Sequence, residues 1–265
     1  MKHYIAVLIL ACAPACVFAQ HDLVGTWELQ TTTGTDADGN PFALDTTSVR
    51  ETKIITPTHY ILIARNVNGS HESFNRCYAG SVEVNGNSYI ETPRMASVQI
   101  VPDLKVNYTW ELRGDLFIQR GTIVRPDGRK VTAELTFRKV ATPDSYPDNP
   151  AIGTWDITSS TYRTPGGEAI TEAQPTVRVM EVVTPTHWMG ISYRNNRFEN
   201  AMGGTYTMAD GKMFPETHYS ALNIPKPKTL ELSCRRDGDE LIVEGMTVSA
   251  SGETVTWQDH AVLLK

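Results

Sequence analysis

Two histidines stand in matching surroundings. His59 closes Thr56-Pro57-Thr58-His59 and His187 closes Thr184-Pro185-Thr186-His187, 128 residues further on, and each opens an apolar stretch. Each is followed by a carboxylate in a strand-like segment, Glu91 in the first half and Glu216 in the second. An imidazole beside a buried carboxylate is held oriented and basic, which suits proton abstraction from a carbon acid or an acid/base isomerisation. That chemistry requires both side chains to share an inward phase on neighbouring strands. The alternative is a structural hydrogen bond repeated because the fold needs it at both places. Duplication favours that alternative, since one active site needs only one competent copy.

A second group of residues suggests a pocket rather than a reaction. The second half concentrates Met180, Met189, Met202, Met208 and Met213 with Trp188, Tyr193, Phe198, Tyr206, Phe214 and Tyr219. Soft and aromatic side chains of this kind line an adaptable apolar cavity or fill a core. Trp188, Met189, Tyr206 and Tyr219, with Tyr60 and Tyr89 in the first half, are the candidates for touching a small hydrophobic molecule. The first half instead spreads Arg50, Arg65, Arg76, Arg94, Arg113 and Arg120 along its length. One or two could grip a ligand carboxylate, and the remainder suit a solvated outer face.

Other chemistries leave no trace. The sequence has no Gly-x-Ser-x-Gly elbow, no phosphate-cradling Gly-Lys-Ser/Thr loop, no Gly-x-Gly-x-x-Gly and no Cys-x-x-Cys. His71-Glu72 lacks the second histidine of a metalloprotease helix, and the other histidines are scattered. No metal, nucleotide or other cofactor is expected. A net charge of −6 without basic runs supplies no counterion-release drive, so nucleic acid is not expected as a partner.

The elements that position these residues come twice. Gly25-Thr26-Trp27 recurs as Gly153-Thr154-Trp155, again 128 residues on. Ala79-Gly80-Ser81 matches Gly203-Gly204-Thr205, Glu91-Thr92 is matched to Glu216-Thr217, Gly121 to Gly245 and Gly128 to Gly252, at offsets of 124 or 125. Turn signals such as Asp38-Gly39-Asn40, Asn85-Gly86, Asp127-Gly128, Asp210-Gly211 and Asp237-Gly238 separate runs rich in β-branched and aromatic residues. In the first copy they predict strands near 25–33, 47–56, 59–66, 75–84, 87–96, 104–113, 115–124 and 129–140. Eight hairpin-linked antiparallel strands best remove their edges by closing into a barrel, with paired β-sandwiches as the alternative. The join at 141–150 carries three prolines and reads as a short, stiff linker.

The first nineteen residues predict a leader. Lys2 and His3 precede an apolar run from Ile5 to Leu10, and Val17-Phe18-Ala19 offers small-residue cleavage before Gln20. The run is too short to span a bilayer, so no transmembrane segment is expected, and export to the periplasm or beyond is. Ile9-Leu10-Ala11-Cys12 is only an approximate lipobox. Cleavage leaves Cys77 and Cys234, either bridged between the halves or buried as separate thiols.

The opening Gly25-Thr26-Trp27, the Thr56-Pro57-Thr58-His59 turn and the Gly-rich segment leading to Tyr89-Ile90-Glu91 resemble the bacterial lipocalin-like domain family of the calycin superfamily. Both halves carry the pattern, and the second is closer through Gly203-Gly204-Thr205-Tyr206-Thr207. The resemblance implies two tandem eight-stranded antiparallel lipocalin-like barrels, over residues 20–140 and 151–265, after a leader at 1–19. It also implies that Trp27 and Trp155 plug one end of each barrel, with Arg138 across Trp27 and only Val262 at the matching place in the second copy. Such barrels host binders and enzymes alike. Three functions therefore stand: a binder of a small hydrophobic molecule, a cofactor-independent isomerase, cyclase or lyase using His187 with Glu216 or His59 with Glu91, and a non-catalytic module that presents a protein- or glycan-binding surface.

Overall fold

The structure is a computed structural model describing residues 22–69, 71–125, 127–140, 145–163, 166–222, 229–248 and 252–265; the expected leader and residues 141–144 of the linker lie outside them. Nine strands form the first half: β1 (Gly25–Thr35), β2 (Pro41–Asp45), β3 (Val49–Ile55), β4 (His59–Asn68), β5 (His71–Asn85), β6 (Ser88–Ala96), β7 (Val106–Arg113), β8 (Leu116–Val124) and β9 (Lys130–Lys139). The second half repeats them as β10 (Gly153–Arg163), β11 (Ile170–Ala173), β12 (Val177–Val183), β13 (His187–Arg194), β14 (Arg197–Ala209), β15 (Lys212–Ser220), β16 (Thr229–Asp237), β17 (Glu240–Val248) and β18 (Thr254–Leu263).

Each half is a closed barrel of eight antiparallel strands. Neighbours in sequence pair from β3 to β9, and β1 pairs with both β3 and β9, which removes the open edges. β10 closes the second ring against β12 and β18 in the same way. The ninth strand of each half, β2 or β11, is an outer flap that pairs only with the far half of β1 or β10. Tight turns set the register: Asp210-Gly211, with φ of 51° and 73°, joins β14 to β15 in the doubly left-handed turn that matches strand twist.

Strand alternation sends Trp27 and Leu29 of β1, and Tyr60, Leu62 and Ala64 of β4, into the first barrel. The intervening Ile61 and Ile63 face outward yet are fully buried. They meet Met189 and Ile191 of β13, with Ile54, Ala79 and Met95 opposing Val182, Ala201 and Tyr219. The continuous apolar runs of β3, β4, β12 and β13 thus serve two cores, one inside each barrel and one between them.

This seam relates the barrels by an approximate two-fold axis. Phe74 stacks on Phe198, its own counterpart 124 residues on, with centroids 5.6 Å apart and planes 7° apart. Equivalent residues meet each other only where such an axis passes. Arg65 lies 4.9 Å over Tyr219 on one side, and on the other Tyr193 receives the Ala96 N–H at 2.5 Å and donates to the Ala96 carbonyl. Cys77 is buried in this seam while Cys234 faces the interior of the second barrel, so both remain thiols.

Candidate functional site

The repeated histidines belong to a turn. His59 N–H donates to Thr56 Oγ1 at 3.1 Å and its Nδ1 lies 2.8 Å from Thr58 Oγ1; His187 makes the same contacts with Thr184 and Thr186 at 3.0 and 2.8 Å. Thr56 and Thr184 also donate their own N–H groups to the carbonyls of His59 and His187 at 2.9 and 2.8 Å. The Thr-Pro-Thr-His motif is therefore duplicated as a self-bonded β3–β4 and β12–β13 corner. Because Tyr60 points inward, His59 points outward, and the structure does not bring it to Glu91 inside the barrel. His187, buried at 6% exposure, is held neutral by desolvation, its pKa lowered to about 4.

The two carboxylates part company. Thr205 pairs with Glu216 in β14–β15 exactly as Ser81 pairs with Thr92 in β5–β6, so the counterpart of Glu91 is Pro215. Glu216 lies on the outer face, 71% exposed and 3.6 Å from His218. Glu91 faces inward, where its Oε1 accepts from Lys53 Nζ at 2.7 Å.

Lys53 organises the first barrel. Its side chain is 2% exposed, and its ammonium donates to Glu91 and, at 2.9 Å, to Gln119 Oε1. It sits 5.7, 5.8 and 4.8 Å from the ring centroids of Tyr60, Tyr89 and Phe137, whose negative faces attract a cation. Below it, Trp27, Tyr89, Trp110 and Phe137 all pack on Phe117 at 5.3 to 6.2 Å. Glu51, also inside, pairs with Arg76 at 3.1 Å, and burial still raises its pKa. Rings, two ion pairs and an amide occupy this interior.

The second barrel keeps the register and changes the contents. Where Phe117 pairs with Phe137, Leu241 pairs with Ala261; where Tyr89 pairs with Tyr108, Met213 pairs with Leu232. Trp110 opposite Gln119 becomes Cys234 opposite Val243, and Lys53 opposite Trp27 becomes Glu181 opposite Trp155. Loss of rings at several stacked positions leaves a cavity of about 320 Å³. Trp155, Trp188, Trp257, Met202 and Met213 line it, with Glu181 and Asp259 among them.

Among the described residues no ion pair reaches either acid. Burial, with Asp259 adding a smaller repulsion, pushes Glu181 up to about 7, and no hydrogen bond or ion pair reaches its carboxyl among the described residues. Asp259 accepts from Ser160 Oγ and, at 3.1 Å, from Trp257 Nε1, and burial raises it too. Cys234, pushed up to about 12 by burial, is a neutral thiol on the same wall.

Two features mark the cavity wall. Trp257 lines both this cavity and an outer groove of about 440 Å³ that holds Arg163, Glu231, Glu244 and Gln258, so its ring stands between them. Among the described residues only Met213 and Leu232 pair between β15 and β16, whereas four residue pairs join β6 to β7. Pro215 has no N–H to offer that ladder.

No family model and no curated protein matches the sequence. Over 95% of its length the chain is similar to 99% of a protein of unknown function from the DUF3598 family of Nostoc punctiforme, at 10% identity and a TM-score of 0.27. Over 91% it is similar to 76% of the isotype 1 transferrin binding protein B of Neisseria meningitidis serogroup B, at 10% identity and a TM-score of 0.29. The vaccine antigen transferrin binding protein B of Haemophilus parasuis, a double mutant, aligns with the same coverage at 7% identity and 0.29.

Of the expected ligand-facing residues, Trp188 lines the cavity. Met189 and Tyr219 are in the seam between barrels, and Tyr60 and Tyr89 enclose Lys53. Tyr206 donates to the Thr184 carbonyl at 2.6 Å and packs on Tyr146. Trp27 and Trp155 are buried, each indole donating to a carbonyl four residues earlier, Leu23 at 2.8 Å and Ala151 at 2.6 Å. The cations over them are Lys139 at 5.3 Å and Arg236 at 5.1 Å, rather than Arg138, which alternation turns out towards Asp115. Lys53, Glu181, Asp259 and Trp257 escaped the sequence reading. For Lys53 and Glu181 the signal is a charged residue leading into an apolar run, as in Lys53-Ile54-Ile55 and Glu181-Val182-Val183; Trp257 and Asp259 stand among the polar Thr256, Gln258 and His260 and carry no such signal. Among the described residues no group of His, Cys, Asp and Glu is arranged to hold a metal, and no helix is long and apolar enough to cross a membrane.

Proposed function

We propose that this protein is an exported, lipocalin-like carrier that holds one small, largely hydrophobic molecule inside its second barrel. The observation that carries the reading is the 320 Å³ cavity among Trp155, Trp188, Met202, Met213 and Leu241, in a repeat whose partner fills the same volume with side chains. Enclosed, mostly apolar spaces of that size with a few polar groups are what small-molecule sites look like. Export is supported by the leader pattern of residues 1–19, and the lipocalin-like assignment by the buried Gly-x-Trp tryptophan of both closed cylinders. The outward phase of His59 and the exposure of Glu216 leave the acid/base reading without a pair inside either barrel.

The test is native mass spectrometry of the protein mixed with N-phenyl-1-naphthylamine, a neutral apolar probe. A single adduct per chain with enhanced probe fluorescence is expected. Absence of an adduct, or stepwise adducts without a preferred stoichiometry, would overturn the reading.

A further inference from the structure

We infer that the molecule taken up by the second barrel is a cation with an apolar body, a hydrophobic amine whose ammonium is received by Glu181 and Asp259. The inference rests on the binding reading above and names the chemistry of its site.

The first barrel shows how this fold buries an ammonium. Lys53 brings one in on its own side chain, and a carboxylate at 2.7 Å, an amide oxygen at 2.9 Å and three aromatic faces receive it. A buried charge persists only with such partners. In the second barrel the residue at the place of Lys53 is Glu181, so the internal cation is gone and an acid stands in its place. Gln119, Phe137 and Tyr89 have become Val243, Ala261 and Met213, which removes the groups that would otherwise fill the space. Trp188 replaces Tyr60, and Trp257 stands where Ala133 does, so aromatic faces remain on the cavity wall.

What is left is an apolar chamber with an unpartnered carboxyl and a second acid held only by neutral donors. Two acids without a counter-charge in such surroundings cost stability, and an entering ammonium relieves both. The walls beyond them, Met202, Leu230, Leu232, Leu241 and Val243, suit a hydrocarbon body. The groove outside Trp257 holds Glu231, already paired with Lys212, and Glu244 together with Arg163.

The pH dependence has a defined sign. An ammonium binds the ionised carboxyl, and Glu181 ionises as pH rises through about 7. The titratable groups facing it are Asp259 from β18 and Cys234 from β16; Asp259, which burial raises more than neighbouring His260 lowers, ionises in the same sense, and the thiol stays neutral.

The experiment compares octylamine with 1-octanol by calorimetric titration of the full chain, at about pH 8.5 and about pH 5.5, in the unsubstituted protein and in Glu181→Gln. Octylamine should bind about tenfold or more tighter than octanol at the higher pH and lose most of that margin at the lower. Glu181→Gln should erase the margin and retain octanol binding, which also shows that the variant is folded with its cavity intact; Asp259→Asn is the second variant should that one bind neither. Octanol binding as tightly as the amine at both pH values overturns the cation inference while the carrier reading stands. Failure of both probes to bind overturns both.

Discussion

A lysine ammonium at 2% exposure survives only because Glu91, Gln119 and three rings receive it. Removing one member of such a pair leaves the other charge buried and alone. Lys53→Met should therefore cost about 3–5 kcal/mol in urea unfolding, and adding Glu91→Met should return most of it. In the second barrel the sign reverses. Glu181 titrates near 7 when folded against an ordinary 4.5, so the folded chain holds a proton that the unfolded chain releases. Its stability contribution is fully present below the unfolded value and is lost as pH rises through about 7. Glu181→Gln should thus stabilise the ligand-free protein at about pH 8, by about 3 kcal/mol, and have little effect near pH 4. The candidate acids were half legible in the sequence. Glu91 stood out as a strand carboxylate whose phase the sequence leaves open; it does face inward, but towards Lys53 and not towards His59. Glu216 was matched to Glu91 because the alignment slipped by one residue, and one residue turns a strand side chain to the opposite face.

The strands were legible because each pairs β-branched or aromatic runs with left-handed turn residues, and the eight expected in the first half are the eight that close its ring. The flap strand β2 was not, since Pro41–Asp45 is short, mostly exposed and without alternation. Trp257 was missed for a different reason: its role depends on Gly245 across the β17–β18 ladder, a contact distant in sequence. A Cβ on Gly245 would lie 2.1 Å from the Trp257 ring. Gly245→Ala should push that indole off its seat, weaken its bond to Asp259 and destabilise the protein by about 1–3 kcal/mol, with a shift in tryptophan emission. Gly190→Ala, whose Cβ would meet only the Met180 carbonyl at 3.9 Å, is the matching control and should be close to neutral.

The two barrels pack as a covalently joined dimer whose interiors differ. Their seam buries the outer faces of β4 and β13, with Ile61, Ile63, Met189 and Ile191 at its centre. Ile191→Asp, placing a charge there, should cost about 3 kcal/mol or more, and limited proteolysis should then cut between the barrels. From sequence this surface was indistinguishable from a ligand pocket, because methionines and tyrosines serve both and periodicity does not say which side of a sheet another barrel covers. Both copies contribute to the seam, and their interiors differ, one packed with rings and one hollow. The most direct test of that difference is fluorescence titration with N-phenyl-1-naphthylamine of the unsubstituted protein and of Leu241→Phe/Ala261→Phe, which restores the two rings that fill the first barrel. One site per chain is expected in the former, and its loss in a variant that remains folded. Unchanged binding in the filled variant, or a second equivalent site in the first barrel, would contradict it.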